Sequence, residues 1–340
     1  MTTHHVTTHD TTSHHATSHD AASLHANAAA PNIEWIAADP ASRAVLDLAV
    51  KLAEPSTTLL ITGESGTGKD QLARWIHQNG PRRDAPFLKI DCASLPAELV
   101  ESELFGHERG AFTGAVVRKQ GRLEMAQGGT IVLDEIAALT PGMQAKLLRV
   151  IEERTFERLG GTDTLHMEAR LMALTNTDLT KAVAAGRFRE DLFFRLNVLA
   201  VPVPPLRERR ADIPALTAHF LARLGPVHGR ADAALDPAAQ HLLESYAWPG
   251  NVRELKNAIE HALVFAKEPL LTPRDFPEII SVAPGAAGSL GALRSLNDLE
   301  REAIKATLEA TRYKIGRAAE ILGISRKTLL EKRKKYGLLE

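Results

Sequence analysis

The segment Gly63-Glu64-Ser65-Gly66-Thr67-Gly68-Lys69 has the residue types and spacing to hold a polyphosphate. Its glycines let backbone N–H groups turn inward on phosphate oxygens. A helix opening behind it adds the positive end of a dipole, and Lys69 reaches the β/γ oxygens. The apolar run Leu59 to Thr62 precedes it and a helical pattern follows, which is the context such a loop needs. The residue after the lysine is Asp70, not the Ser or Thr whose hydroxyl commonly meets Mg²⁺, and alone this weakens the motif.

Thr130-Ile131-Val132-Leu133-Asp134-Glu135 answers that weakness. A buried strand ending in two acids can set Asp134 on Mg²⁺ and Glu135 on the water that attacks a phosphoryl group. Downstream of a phosphate loop, the pair predicts ATP and Mg²⁺. Thr175-Asn176, at the end of the next apolar run, can hydrogen-bond the γ-phosphate or the water from the side, or simply turn the chain at a strand end. Cys92 is the one cysteine, so no intrachain disulfide or cysteine-based zinc cluster forms, and it reads as a small core residue.

The elements that must position these groups follow from the apolar pattern. Runs at Leu59 to Ile61, Phe87 to Ile90, Ile131 to Leu133 and Leu171 to Leu174 alternate with helical stretches. The expected fold class is α/β, with a mainly parallel sheet carrying helices on both faces over residues 31–205. Residues 206–280 show helical periodicity broken by Pro and Gly, as at Ala238 to Tyr246 and Val252 to Ala266, and read as a helical lid. Residues 281–294 contain the Gly-rich stretch APGAAGSLGA, a linker composition, and 295–340 form a last helical unit. The net charge of -1 hides nine Lys/Arg against three Glu from Arg312 onward. No stretch approaches the roughly 20 apolar residues of a membrane span, so a cytoplasmic location is expected.

Residues 4–13 recur almost unchanged as 14–23, a polar repeat with too little apolar surface to order itself. Seven of the 14 histidines lie in the first 25 residues, either an inert polar tail or a chelator of Ni²⁺, Zn²⁺ or Cu²⁺. About 30 residues leave no room for a receiver or ligand-sensing domain, so control is expected from a trans-acting protein or from expression level.

The stretch Glu103 to Ala115 ends in Gly110-Ala111-Phe112-Thr113-Gly114-Ala115, and this hexapeptide resembles the signature loop of the sigma-54-dependent transcription activators, the bacterial enhancer-binding proteins. The resemblance extends from about Ile33 to Glu340, and there an acid after the P-loop lysine is normal, which turns Asp70 into support. It implies an AAA+ core whose loop carries Phe112 and Thr113 to sigma-54. The run from Phe188 to Val198 is similar to the family segment whose two arginines reach the neighbouring subunit's ATP, which implies that role for Arg189 and Arg195 and a ring, hexameric by resemblance. Trp248 to Leu255 is similar to the lid motif in which Arg253 senses nucleotide within its own subunit; locally the same residues start a helix with Asn251 as cap. Asp91 departs from the family pattern, which has an asparagine that restrains the second acid, and an acid there would repel Glu135 unless the two point apart or one is protonated.

Tyr313 to Leu322, Gly323, and Ser325 to Tyr336 have the punctuation of two short helices about a glycine turn, and resemble the Fis-type helix-turn-helix. Ser325, Arg326, Lys327 and Thr328 lie at the end that faces base edges, while Lys332 and Arg333 begin a cluster suited to phosphates. The implied function is ATP-driven conversion of closed to open sigma-54 RNA polymerase complexes by a protein that binds enhancer DNA as dimers. A repressor or ordinary activator using an AAA+ fold only to oligomerise typically has a degraded GAFTGA loop. A remodeller unconnected with transcription leaves both GAFTGA and the helix-turn-helix unexplained.

Overall fold

The computed structural model describes residues 34–277 and, apart from 306, 309, 310, 312 and 323, residues 304–336. The histidine repeat, the linker 281–294 and the glycine turn at Gly323 lie outside the described residues. In chain order the strands are β1 (Leu59–Thr62), β2 (Phe87–Asp91), the ribbon β3 (Gly106–His107) with β4 (Lys119–Gln120), β5 (Thr130–Asp134), the ribbon β6 (Thr155–Phe156) with β7 (Leu165–His166), β8 (Arg170–Thr175) and β9 (Leu199–Pro202). The helices of the core are α1 (Pro40–Ala53), α2 (Lys69–Gln78), α3 (Ala97–Phe105), α4 (Arg122–Met125), α5 (Pro141–Glu153), α6 (Leu179–Ala184) and α7 (Glu190–Leu196). Those of the lid are α8 (Asp212–Leu224), α9 (Pro237–Ser245) and α10 (Asn251–Phe265).

The sheet runs β2-β5-β8-β1-β9, every pair parallel. Burial follows period two along the strands. Leu60, Ile131, Leu133, Leu171 and Ala173 enter one cluster with residues of α3, α5, α6 and α7. Leu59, Ile61, Val132, Met172, Leu174 and Val201 enter the other, against α1 and α2. Because the strands are parallel and in register, with Asp91 opposite Asp134 and Thr62 opposite Thr175, their C-terminal ends share one edge, where open parallel sheets bind ligands. The fifth strand, β9, is absent from the sequence expectation; its Pro202 has no N–H to give a ladder and is tolerated because β9 is an edge strand.

Helix starts were written locally: Asp39-Pro40, Thr140-Pro141 and Asp236-Pro237 each place a side-chain cap before a proline at the first helical position of α1, α5 and α9. Other ties are long-range. Arg170, 3% exposed, donates from Nη1 to Ala53 O at 3.1 Å and from Nη2 to Leu52 O at 2.6 Å, closing the C-terminus of α1. Among the described residues no carboxylate pairs with it, and burial pulls its guanidinium down to about 10. The lid is helical as expected, but contains one short parallel bridge of β10 (Ala234–Leu235) with β11 (Leu270–Leu271).

The C-terminal unit carries α11 (Ile315–Ile321) and α12 (Arg326–Lys335). The first of these helices starts later than its pattern suggests, after Tyr313 takes a left-handed backbone with φ 57°. Ile304, Leu308, Ala318, Ala319 and Leu329 form its buried centre.

Asp212 fastens the segment before α1 to the first lid helix. Its fully buried carboxylate accepts from Ala38 N and Asp39 N, both at 2.7 Å, and from the Ser42 hydroxyl, with Arg209 Nη1 3.7 Å away. Asp212→Ala strands buried Arg209 without its counter-charge and should cost about 3–5 kcal/mol in chemical denaturation; a loss below about 1 kcal/mol, the scale of a surface pair, contradicts this account.

Candidate nucleotide-binding site

The loop between β1 and α2 takes its path from glycines in left-handed conformations. Gly66, at φ 78°, leaves no room for a side chain, since a Cβ there would sit 2.3 Å from Gly250 O of the lid. Thr67 braces the turn by donating its hydroxyl to Glu64 O at 2.8 Å. Lys69 opens α2 and is 6% exposed, its Nζ donating to Gly63 O at 2.8 Å and Glu64 O at 3.1 Å. The lysine that would meet phosphates is folded onto its own loop. Burial pushes its ammonium below the ordinary range, against the pull of Glu135 and Asp134.

Asp134 ends β5 and Asp70 lies in the first turn of α2, and Lys89 of β2 stands between them. Its Nζ is 2.7 Å from Asp134 Oδ2 and 3.0 Å from Asp70 Oδ1. Asp70 also pairs with Arg74 at 3.1 Å, yet its Oδ1 is buried without an aligned hydrogen-bond donor, so Lys89 meets that oxygen as an ion pair. Burial opposes the charges of Asp70 and Lys89, and their mutual contacts prevail: the acid lies below its usual range and the ammonium above its own.

Glu135 follows with φ 52° and ψ 52°, a left-handed backbone costing a non-glycine residue about 1–3 kcal/mol and found most often at functional sites. This swings the carboxylate across the strand ends, where Oε2 accepts from Asn176 N at 3.2 Å. The Asn176 side chain is engaged locally, accepting from the Thr177 hydroxyl at 3.3 Å. Asp91 Oδ1 accepts from Ala93 N at 3.0 Å, within its own turn. Cys92 is buried and its thiol is pushed up to about 12 by burial and by the charges of Asp91, Asp134 and Glu135, which keeps it protonated and inert.

The lid grips the loop. Arg207 forks onto Glu64 with Nη1–Oε2 2.8 Å and Nη2–Oε1 2.6 Å. Asn251, fully buried at φ 54°, donates to Glu64 Oε2 at 3.1 Å and Ser65 O at 3.0 Å and accepts from Leu206 N at 2.8 Å. Asn251 is therefore not the cap of α10; Gly250 precedes that helix, its N–H taken by Glu254 Oε2 at 2.7 Å. Arg253 Nη1 meets Ser65 Oγ at 2.9 Å, and Arg209 Nη2 donates to Thr67 O at 2.5 Å. Arg207, Arg209, Lys89 and Asp212 were missed in the sequence, where nothing marks which distant group a charged residue will meet.

Arg189 and Arg195 lie elsewhere on the surface. Arg189 is held bidentately by Asp191, and Arg195 meets Glu152 at 3.0 Å. The backbone at Arg189 is fixed by buried Gln144 of α5, whose Oε1 accepts from Arg189 N at 2.8 Å. Gly110 to Ala115 forms a closed turn with Gly110 N→Ala115 O at 2.8 Å and Ala115 N→Phe112 O at 3.0 Å, its tip Phe112-Thr113-Gly114 exposed. Phe112 rests edge-on against His107, 5.0 Å between centroids, and His107 Nδ1 is 2.8 Å from Ser102 Oγ of α3. The neighbouring ribbon braces this loop: buried Arg158 bonds Glu108 at 2.9 Å and Glu124 at 2.7 Å. That ribbon and Arg158 carry no sequence signal, its strands being two residues long.

In the C-terminal unit Ser325 caps α12, accepting from Thr328 N at 3.1 Å. Arg326 and Lys327 are exposed at that end, Arg326 lying across Gly316 of α11. Thr328 and Lys332 are half-buried, and Arg333 sits over the Tyr313 ring at 5.7 Å.

Residues 35–202 match the sequence family described as the Sigma-54 interaction domain, residues 207–289 the AAA+ ATPase lid domain and residues 295–336 the bacterial regulatory protein, Fis family. The chain is 45% identical over 306 residues to the transcriptional regulatory protein ZraR of Salmonella typhimurium, covering 90% of this chain and 69% of that protein. It is 44% identical over 308 residues to the regulatory protein AtoC of Escherichia coli, covering 87% and 67%. Among solved structures, NtrX from Brucella abortus in complex with ATP matches with a TM-score of 0.72 at 34% identity, over 89% of this chain and 69% of that one.

Arg207 and Asn251 hold the Glu64 carboxyl down to about 2 from an ordinary 4.5. A depressed folded-state value stabilises the fold above the unfolded value and ceases to do so as pH falls through the folded one. The stability difference between wild type and Glu64→Gln should hold from neutral pH to about 4.5 and fade toward about 2. Melting temperatures of the two proteins over this range provide the check, and a difference that does not change with pH counts against the latch.

Proposed function

The chain belongs to the sigma-54-dependent transcription activators, which use ATP hydrolysis to open sigma-54 polymerase complexes, and from that membership we propose how its own residues divide the work. The N–H groups of Gly63, Glu64, Ser65, Gly66, Thr67 and Gly68 cradle the phosphates of ATP, and Lys69 exchanges its loop carbonyls for phosphate oxygens. The half-buried carboxylate of Asp134 is a hard oxygen ligand that fits Mg²⁺, and Asp70, joined to it through Lys89, lies beside it. Bound there, Mg²⁺ supplies charge neutralisation to the transferred phosphoryl group. Glu135 polarises the attacking water from a position set by the Asn176 amide. Asn176 flanks the same water, and Arg253 reads the nucleotide from the lid.

Arg189 and Arg195 serve the site of the next copy in a hexameric ring, leaving their own carboxylate partners to stabilise charge there. Their exposure, and the lack of any hydrogen bond between them and the phosphate loop among the described residues, support a role in trans. Phe112 and Thr113 press on sigma-54, with Gly110, Ala111, Gly114 and Ala115 giving the turn its shape. Dimers bind inverted enhancer half-sites through Ser325, Arg326, Lys327 and Thr328 at base edges and Lys332 and Arg333 at phosphates. Among the described residues no helix is long and apolar enough to cross a membrane, which accords with action in the cytosol. A trans-acting protein that binds the ATPase supplies control.

The observation that carries this reading is the Phe112 tip, exposed to solvent yet footed on His107 and α3. Thr113→Ala should abolish ATP-dependent promoter melting on a supercoiled sigma-54 template while ATP hydrolysis continues; melting at the wild-type rate removes the tip from the mechanism. Glu135→Gln should bind ATP and hydrolyse it about a hundredfold or more slowly. Arg189→Ala should lose hydrolysis as well, and mixing these two variants should restore part of it, because some boundaries then pair an intact Glu135 with an intact Arg189. A mixture no more active than its components refutes the division between subunits.

A further inference from the structure

The proposed metal site already contains a cation of the chain's own. Lys89 stands opposite Val132, two residues short of the Asp91–Asp134 pair, so its side chain must run along β2 to reach the sheet edge. There one ammonium lies 2.7 Å from Asp134 Oδ2 and 3.0 Å from Asp70 Oδ1. The carboxylates come from different elements, β5 and α2, and Lys89 joins them while only 29% exposed. Both acid oxygens thus surround one position, which the ammonium occupies.

We infer that Lys89 is an internal counter-cation that fills the metal's place while nucleotide is absent, so that Asp134 and Asp70 take up a divalent ion only together with a polyphosphate. This rests on Asp134 being the metal ligand. The argument is one of charge. Asp70 and Asp134 bring two negative charges, matched by the cations in direct contact with them, Lys89 on both and Arg74 on Asp70, while neighbouring Glu135 is offset by Lys69. A divalent ion entering alone either displaces Lys89, leaving its ammonium unpaired in a half-buried position, or sits beside it against like-charge repulsion. The phosphates of a nucleotide bring the negative charge that lets metal and lysine coexist. Binding is thereby ordered, and a ring subunit between turnovers holds no idle metal.

The test uses the full-length chain with nucleotide removed and Mn²⁺ as probe, free Mn²⁺ being read by electron paramagnetic resonance. Wild type should take up Mn²⁺ at this site only after a slowly hydrolysed ATP analogue is added. Lys89→Met should bind Mn²⁺ without nucleotide roughly tenfold or more tightly than wild type does, since the competing charge is gone. The gain should vanish in Lys89→Met combined with Asp134→Asn, and Lys89→Arg should behave as wild type. The histidine-rich tail is common to all variants, so its uptake cancels. Lys89→Gln provides a second neutral side chain, and binding of the ATP analogue itself certifies that either variant is folded. Equal nucleotide-free uptake by wild type and both neutral variants overturns the inference while leaving Asp134 as ligand. A wild type that takes up no Mn²⁺ even with the analogue overturns the assignment of Asp134 itself, and the inference with it.

Discussion

The structure depends on how one edge of a parallel sheet accommodates four carboxylates. Asp70, Asp91, Asp134 and Glu135 all gather where β2, β5 and the start of α2 converge, because a parallel sheet sends every strand end the same way. Acids so close repel unless each is separately satisfied. Three partners serve the four: Lys89 for Asp70 and Asp134 together, a local turn amide for Asp91, and the Asn176 amide for Glu135. Glu135 reaches its partner only through a left-handed backbone, so the geometry of the site is bound up with local strain.

The lid does not merely cover this edge. Glu64 and Ser65, in the middle of the phosphate loop, are bonded by Arg207, Asn251 and Arg253, all from the lid sequence. A loop whose carbonyls and carboxylate are held from both sides cannot reshape around phosphates without moving those side chains. A change of shape in this loop therefore bears on the lid directly, through hydrogen bonds to a single turn. On the other side the Phe112 loop is stiffened by its contacts with His107 and by the Arg158 bonds to Glu108 and Glu124. The tip thus stands on a base that is not free to yield.

Much of this could be read in the chain itself where the signal is local. The phosphate loop, the acid pair and the four apolar runs each depend on neighbours within a few residues, and each lies where the pattern indicates. Long-range matters were illegible. The edge strand β9 is four residues ending in proline, a composition that argues against a strand anywhere but an edge. Asn251 looked like a helix cap because Asn before a helix usually is one; its partners lie 186 and 187 residues away. Lys89 and Arg158 are ordinary charged residues until the fold brings acids to them. Asp91, set by the sequence against Glu135, takes its own hydrogen bond from the turn two residues on.

Two kinds of arginine divide this chain by their response to ionic strength. Arg170 keeps its charge and is held by the carbonyl dipoles that end α1, buried where mobile ions do not reach. Arg189 and Arg195 rest on exposed carboxylates, where a salt atmosphere with a screening length near 8 Å weakens every attraction. Concentrated electrolyte thus acts on the molecule unevenly, releasing the arginines at its surface long before it touches the one that closes its first helix.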